Sequence, residues 1–261
     1  MIPHKIHYCW LSEDPLPPDI QKCLDTWQEV LPDYEVIRWD TRRFDVHSVP
    51  FVREAVSVRK WAFAADYIRA FAVHEEGGIY LDSDVVVRKR FDDFLGYDFF
   101  TSVEYHRNIV EREDLTLHLH DDGTRRDRQV SVPGIGIQAA IFGARAGNAF
   151  LKDCLDHYRD RHFLLPDGGL DTSVIAPSIY AAAAEKYGFI YRDELQSLQD
   201  DMMVFPSEVF AGHPDQETAR SVAVHRGVGS WRDRRPVSIR ARLRRIPGKL
   251  RRATGGRVAD D

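Results

Sequence analysis

Two aspartates, Asp82 and Asp84, lie one residue apart inside the apolar run 79–87. A strand that is buried on both faces usually consists of Val, Ile and Leu, and a carboxylate there is costly. In an extended chain these two side chains point to the same side, about 6–7 Å apart. They can therefore bind one divalent cation, and oxygen ligands suit Mg²⁺ or Mn²⁺ together with substrate phosphates. The pair predicts a metal–diphosphate site at a strand end; two solvated aspartates at a strand edge are the alternative.

A second pair of charged residues, Asp66 and Arg69, lies three positions apart in the helical pattern 59–76, so the two side chains share one face. In a donor site Asp66 would accept hydrogen bonds from sugar hydroxyls. Arg69 would face the sugar or the diphosphate, since a guanidinium suits planar and anionic groups. The alternative is a surface ion pair, which contributes little stability.

Two further positions suit a nucleotide ligand. His225 follows the apolar residues 222–224 and opens a loop that contains Gly227 and Gly229. A neutral imidazole can supply a third metal ligand, and glycines let backbone N–H groups approach phosphate oxygens. Trp10, at the end of the first predicted strand, can stack on a nucleobase, although core packing explains it equally well.

The elements that must position these residues alternate along the chain. Apolar periodicity predicts strands at 5–10, 34–39, 79–87, 99–103 and 138–142, and helices at 20–30, 59–76, 149–161 and 172–187. This alternation indicates an α/β domain with a mixed sheet, in which ligands bind beyond the carboxyl ends of the strands. The charged segment 104–130 is too long for a passive connection, which favours a binding loop or a mobile insert.

The composition narrows the class of protein further. The 261 residues can bury one sizeable core, and three cysteines without ligand spacing favour reduced thiols in the cytoplasm. No apolar signal core begins the chain. Residues 232–261 hold 11 basic and three acidic residues, a balance of +8, whereas the rest holds 25 basic and 38 acidic residues, a balance of −13. We therefore expect a domain at 1–231 and a basic tail at 232–261.

The tail favours an anionic surface as its partner, and the alternative is a disordered, solvated segment. The inner face of the cell membrane would supply such a surface. Nucleic acid is a poorer partner, because the acidic body would repel it.

Three segments resemble one family. They are IPHKIHYCW at 2–10, RKWAFAADYIRAFAVHEEGGIYLDSDVVV at 59–87 and HRGVGSW at 225–231. In this order they resemble the DXD-containing glycosyltransferases that include capsular-polysaccharide enzymes and outer-chain mannosyltransferases. They are more distantly similar to the glucosyltransferase domains of clostridial toxins. The resemblance implies a single-domain, GT-A-like α/β fold with a mixed central sheet flanked by helices.

The resemblance also implies roles for individual residues. Trp10 matches the aromatic that stacks on the base, Asp66 and Arg69 the pair that contacts the sugar, and Tyr80 the aromatic beside the metal. Asp82 matches the carboxylate that touches the ribose and, directly or through water, the metal.

At the metal and the phosphates, Asp84 matches the direct metal ligand, and His225 is the expected third ligand. Trp231 matches the tryptophan that donates to the β-phosphate. Ser230, the residue before it, is also expected to bind the donor. This chain has Arg226 where the family often has a second histidine.

The implied activity is metal-dependent, retaining transfer of a hexose from a nucleoside diphosphate sugar to a glycan or lipid-linked glycan in surface polysaccharide synthesis. Trp10 and the similarity to the toxin domains favour a UDP sugar over a GDP sugar. Asp171 is the expected carboxylate near the anomeric carbon.

Two other functions are compatible with part of the pattern. A haloacid-dehalogenase-like phosphatase would use Asp82 as a nucleophile, but its motif lies near the start of the core domain, whereas two strands and two helices precede Asp82 here. A non-catalytic module that binds a nucleotide sugar has less need for a complete set of metal- and diphosphate-binding residues.

Overall fold

The expected α/β class is confirmed: a mixed central sheet is flanked by helices. The computed structural model describes residues 1–173 and 175–227, which belong to one compact unit, Met1–Gly229. The predicted tail at 232–261 lies outside the described residues, so the boundary after Trp231 stays a prediction. In the described part of the chain no helix is both long and apolar enough to cross a bilayer.

Strands and helices follow one another along the chain. The strands are β1 (Lys5–Cys9), β2 (Glu35–Trp39), β3 (Gly78–Leu81), β4 (Val85–Val87), β5 (Phe99–Tyr105), β6 (Ile135–Ile137), β7 (Ile141–Ala144), β8 (Gln196–Leu198), β9 (Met202–Phe205), β10 (Phe210–Ala211) and β11 (Ala223–His225). The α-helices are α1 (Pro18–Val30), α2 (Pro50–Ser57), α3 (Trp61–Glu76), α4 (Arg107–Val110), α5 (Ala149–Asp156) and α6 (Ala176–Ala184).

The large sheet has the strand order β2-β1-β3-β7-β5-β9-β8, and β6 pairs with β5. Strand β1 is parallel to β2 and β3, whereas β7 is antiparallel to both of its neighbours, β3 and β5. Strands β3 and β5 therefore point the same way, and the carboxyl ends of β1, β3 and β5 share one edge of the sheet, called here the carboxyl edge. A small second sheet has the order β10-β11-β4.

Helix α3, which the apolar periodicity predicts, is the longest helix in the described part of the chain, and it buries residues on most of its circumference, Phe63, Ile68 and Val73 among them. It ends at Gly77, whose φ of +63° favours glycine. A Cβ on Gly78 would lie 2.8 Å from the carbonyl oxygen of Lys5. The two glycines therefore let the chain turn from α3 directly into β3, close against β1.

The predicted continuous strand at 79–87 is wrong. The run forms two strands, β3 and β4, which belong to different sheets and are joined by a turn at Asp82–Ser83–Asp84. Within the turn the backbone N–H of Val85 donates to the carbonyl oxygen of Asp82 over 2.9 Å. Both flanking strands are buried, which explains the uninterrupted apolar pattern. The aspartates lie at a strand end, as expected, but in a turn rather than in the middle of a strand.

Other predicted elements are shortened or divided. The helices predicted at 149–161 and 172–187 are the shorter α5 and α6, and α2 was not predicted. The strand predicted at 138–142 begins later, as β7 at Ile141, and the separate strand β6 precedes the predicted range. The insert 104–130 is tied to the body: Arg125 forms an ion pair with Glu185 over 2.7 Å.

Candidate active site

Three predicted metal ligands lie together at the carboxyl edge. One ligand atom each from Asp82, Asp84 and His225 falls within 4.8 Å of the others. His225 Nε2 lies 3.1 Å from Asp84 Oδ1 and 3.8 Å from Asp82 Oδ2. The small sheet produces this arrangement, because β11 is antiparallel to β4 and places His225 opposite Val85, the residue that follows the turn.

The backbone of the turn is held from both sides. The N–H of Asp82 donates to the carbonyl oxygen of Ala140 over 2.9 Å, on the side of the large sheet. On the other side the N–H of Arg226 donates to the carbonyl oxygen of Asp84 over 3.1 Å. The two carboxylates are thus fixed by main-chain contacts to both sheets.

Tyr80 and Arg69 position the carboxylate of Asp82. The Tyr80 side chain is buried, and its hydroxyl donates to Asp82 Oδ1 over 2.8 Å. Arg69 Nη2 lies 3.5 Å from the same oxygen, and the guanidinium carbon lies 5.1 Å from the centre of the Tyr80 ring. The Tyr80 hydroxyl therefore contacts Asp82 from inside the protein and orients its carboxylate.

Arg69 joins two aspartates inside the protein. Its side chain is 7% exposed, and Nη2 contacts Asp66 Oδ1 over 2.9 Å. Nη1 donates to the carbonyl oxygen of Ala139 over 2.8 Å. The alternative of a solvent-exposed ion pair is wrong, because α3 packs against the sheet and other helices on this face. A buried ion pair that is also hydrogen-bonded to the backbone fixes the geometry of both aspartates.

The pKa values of two groups in the site are both raised, but for different reasons. Burial raises the pKa of Asp66 to about 6, with the charge of Arg69 opposing and the charge of Asp82 adding to the shift. For His225 burial lowers the pKa, but the hydrogen bond to Asp84 and the charges of Asp84 and Asp82 outweigh it and raise the pKa to about 9. Without a cation the imidazolium thus neutralises part of the acidic cluster.

The ligand set fits a divalent cation. Two carboxylates and one imidazole offer oxygen and nitrogen donors that suit Mn²⁺, and also Mg²⁺ with substrate oxygens completing its shell. A cation would replace the proton on His225, since a metal ligand must be deprotonated. The three side chains are 13–23% exposed, so the cluster is open to a ligand from one side.

Trp10 lies at the same edge. It follows β1, is half-buried, and its Nε1 donates to the carbonyl oxygen of Asp14 over 2.9 Å. Next to it a polar cavity of about 380 Å³ lies beyond the ends of β1 and β2, lined among others by Ser12, Arg38 and Asp40. Leu11, the residue after Trp10, lines this cavity, whereas Trp10 is not one of its lining residues.

Asp171 is held by other residues. Its Oδ2 accepts from Arg161 Nε over 3.2 Å, and its Oδ1 accepts from the Ser173 hydroxyl over 2.7 Å. Burial raises the pKa of Asp171, but the bonds from Ser173 and Arg161 outweigh it, and the net shift is downward. Asp171 is therefore a carboxylate at neutral pH.

Sequence reasoning missed Gln138. Its side chain is 1% exposed, and its Oε1 accepts from the N–H of Ala140, the residue whose carbonyl oxygen binds Asp82. Gln138 thus braces the strand end next to the turn. The sequence feature that could have indicated Gln138 was a single amide side chain in the apolar run 135–144. Ser230 and Trp231, predicted at the phosphates, lie outside the described residues, and Gly227 is the last described position.

Comparison with known proteins identifies the central segment. Residues 17–101 match the family model of the glycosyltransferase sugar-binding region containing DXD motif. An uncharacterised glycosyltransferase of Acanthamoeba polyphaga mimivirus is 28% identical over 115 residues, which cover 42% of this chain and 46% of the relative. The match thus spans less than half the length of that relative. The resemblance to DXD-containing glycosyltransferases is confirmed over this segment.

Several solved structures are similar at low identity. The PaToxG glycosyltransferase has a TM-score of 0.47 and 17% identity, covering 71% of this chain and 69% of that chain. A glycosyltransferase involved in glycosylation of the major capsid of PBCV-1 has a TM-score of 0.44 and 12% identity, covering 85% and 92%. The galactosyltransferase LgtC, solved with donor and acceptor sugar analogs, has a TM-score of 0.44 and 11% identity, covering 85% and 86%.

Proposed function

We propose that this chain, which contains the DXD sugar-binding region of glycosyltransferases, transfers a hexose from a nucleoside diphosphate sugar to a glycan or lipid-linked glycan. One observation carries the proposal. Asp82 and Asp84, inside the matched segment, lie within 4.8 Å of His225, far along the chain, at the edge where α/β sheets bind ligands. A turn with only a structural role would not require three potential metal ligands from distant positions in the chain to lie together.

The cation we propose is Mn²⁺ or Mg²⁺, held by Asp82, Asp84 and His225. When bound, it would offset the negative charge that develops on the diphosphate as the anomeric C–O bond breaks. Tyr80 and Arg69 keep Asp82 in place for this task, because they contact its Oδ1 from inside the protein. We assign further donor contacts at the phosphates to Ser230 and Trp231.

Asp66 and Arg69 form the proposed floor of the donor sugar site. The carboxylate of Asp66 accepts hydrogen bonds from sugar hydroxyls, and Arg69 holds that carboxylate through a contact of 2.9 Å. Asp171 is the proposed carboxylate near the anomeric carbon in a retaining reaction. Its bonds to Arg161 and Ser173 keep it ionised and in one orientation.

The base of the donor is proposed to stack on Trp10, with the neighbouring cavity of about 380 Å³ available to the nucleoside. We favour a UDP sugar over a GDP sugar. Isothermal titration with UDP and with GDP in Mn²⁺ compares the two bases directly, and tighter binding of GDP would overturn this choice.

The activity itself is tested with donors alone. In Mn²⁺ we expect one of UDP-glucose, UDP-galactose, UDP-N-acetylglucosamine or GDP-mannose to raise the melting temperature and to be hydrolysed slowly, because water can replace the acceptor. EDTA should remove both effects. The phosphatase alternative predicts instead the hydrolysis of p-nitrophenyl phosphate. A non-catalytic module predicts stabilisation without hydrolysis, so the three functions give different results.

The basic segment 232–261 is proposed to bind the anionic inner face of the cell membrane, where each basic residue near the surface contributes about 1 kcal/mol. This location would suit a lipid-linked acceptor. The full chain should sediment with phosphatidylserine vesicles at low salt and dissociate at high salt, because the attraction is screened. A chain that ends at Trp231 should stay in the supernatant; equal sedimentation of the two chains would contradict the proposal.

A further inference from the structure

A carboxylate–imidazole pair that the proposed function does not use lies at the end of β5. His106 Nε2 and Glu104 Oε1 are 2.8 Å apart, and because a carboxylate only accepts, the imidazole donates. The Glu104 side chain is 17% exposed and the His106 side chain is 50% exposed. The pair therefore places a carboxylate inward and an imidazole toward solvent.

The strand order brings this pair to the carboxyl edge beside the turn. Only β7 lies between β3, which leads into Asp82, and β5, which contains Glu104. Two strand spacings correspond to about 10 Å. Asp82 and Glu104 also lie at similar heights along their strands. Leu81, the residue before Asp82, pairs with Ile141, and the N–H of Gln138 donates to the carbonyl oxygen of Ser102, two residues before Glu104. Glu104, which pairs with Gly136 of β6, thus lies at the same edge of the sheet as Asp82, with residues 138–140 between them.

Electrostatic effects agree with this position. Burial is the main cause of the raised pKa of Asp66. The charge of Glu104 adds to this upward shift. Asp66 is linked to Asp82 through Arg69, which contacts both carboxylates. Glu104 therefore lies close enough to this group of residues for its charge to act on it.

We propose that Glu104, oriented by His106, binds a hydroxyl group of the acceptor glycan. This inference rests on the proposed function. The diphosphate is excluded as the ligand of Glu104, since two anions repel each other. A carboxylate instead forms strong, charge-assisted hydrogen bonds with sugar hydroxyls. The acceptor is assigned rather than the donor because the pair opens to solvent at His106, where a second substrate can enter after the donor.

His106 acts as a positioning residue in this arrangement. Its Nε2–H occupies one oxygen of Glu104 and restricts the rotation of the carboxylate, which a flexible glutamate at a strand end would otherwise retain. We therefore expect His106→Asn to raise the KM for the acceptor while the KM for the donor stays unchanged.

The test uses the full chain, Mn²⁺ and the donor that the wild type hydrolyses. Methyl α-D-mannopyranoside, methyl β-D-galactopyranoside and methyl β-D-glucopyranoside serve as acceptor probes, and mass spectrometry identifies the glycosylated product. Glu104→Gln should lose about tenfold or more of the transfer to the accepted glycoside. Donor hydrolysis and the donor KM should stay within about twofold, since the metal and donor contacts remain intact. Glu111→Gln, in the exposed part of the same insert, is the matched control.

Each result has one meaning. Equal transfer by Glu104→Gln and the wild type would overturn the inference, and so would a parallel loss of hydrolysis and transfer, which would place Glu104 at the donor. Wild-type hydrolysis that none of the glycosides converts into transfer would contradict a hexose hydroxyl as the ligand. Absence of donor hydrolysis by the wild type would instead refute the proposed function, so the two failures are distinguishable.

Discussion

Asp84→Asn should lower metal-dependent release of the nucleoside diphosphate by about a thousandfold or more while the protein stays folded. Asparagine has nearly the shape of aspartate, but it is neutral and offers a single oxygen. The hydrogen bond of 3.1 Å to His225 shows that the Asp84 carboxylate points into the cluster, where it is 13% exposed. The lost charge therefore lies at the proposed cation rather than in bulk solvent.

Initial rates in saturating Mn²⁺ and the far-ultraviolet circular dichroism spectrum together check this expectation. Asp93→Asn is the matched control, because Asp93 is exposed and lies outside the site. If the folded Asp84→Asn protein works at a rate near that of the wild type, Asp84 is not a metal ligand.

The second large effect concerns stability. Arg69→Met should lower the free energy of unfolding by about 3–5 kcal/mol, because it leaves Asp66 and Asp82 without the buried cation that both contact. Methionine retains much of the apolar stem, so the loss reports chiefly the missing guanidinium. Urea unfolding of the metal-free protein in EDTA measures it.

A double variant separates the charge effect from packing. Adding Asp66→Asn to Arg69→Met should restore part of the lost stability, since it removes one of the unpaired carboxylates. Arg107→Met, which removes one partner of an exposed pair with Glu111, should change stability by less than about 0.5 kcal/mol. A loss below about 1 kcal/mol for Arg69→Met, or no recovery in the double variant, would contradict the assigned role of Arg69.

Local signals in the sequence predicted the part of the site that local structure forms. The periodicity of α3, the two glycines after it and the paired aspartates all follow from residues close together in the chain. The turn at Asp82–Ser83–Asp84 could not be seen in this way. Strands β3 and β4 are both buried, so nothing in the apolar pattern shows that they belong to different sheets.

The remaining residues depend on contacts between distant parts of the chain. Spacing placed Asp66 and Arg69 on one face of α3, but their burial depends on how the helices pack on the sheet. Glu104 and Gln138 were missed because β7 inserts between β3 and β5, an order that periodicity does not encode. His225 was predicted from the short apolar run before it, and the structure places it beside Asp82 and Asp84.

The turn between the two sheets has a consequence for the order of synthesis. A ribosome that has released residues up to 101 has completed the segment that matches the family, with both aspartates of the turn. The third ligand arrives with β11, which pairs with β4 only near the end of the described chain. A nascent or prematurely terminated polypeptide therefore has the motif without a complete cluster. The proposed cation can therefore meet all three of its ligands only after residue 225 has been synthesised.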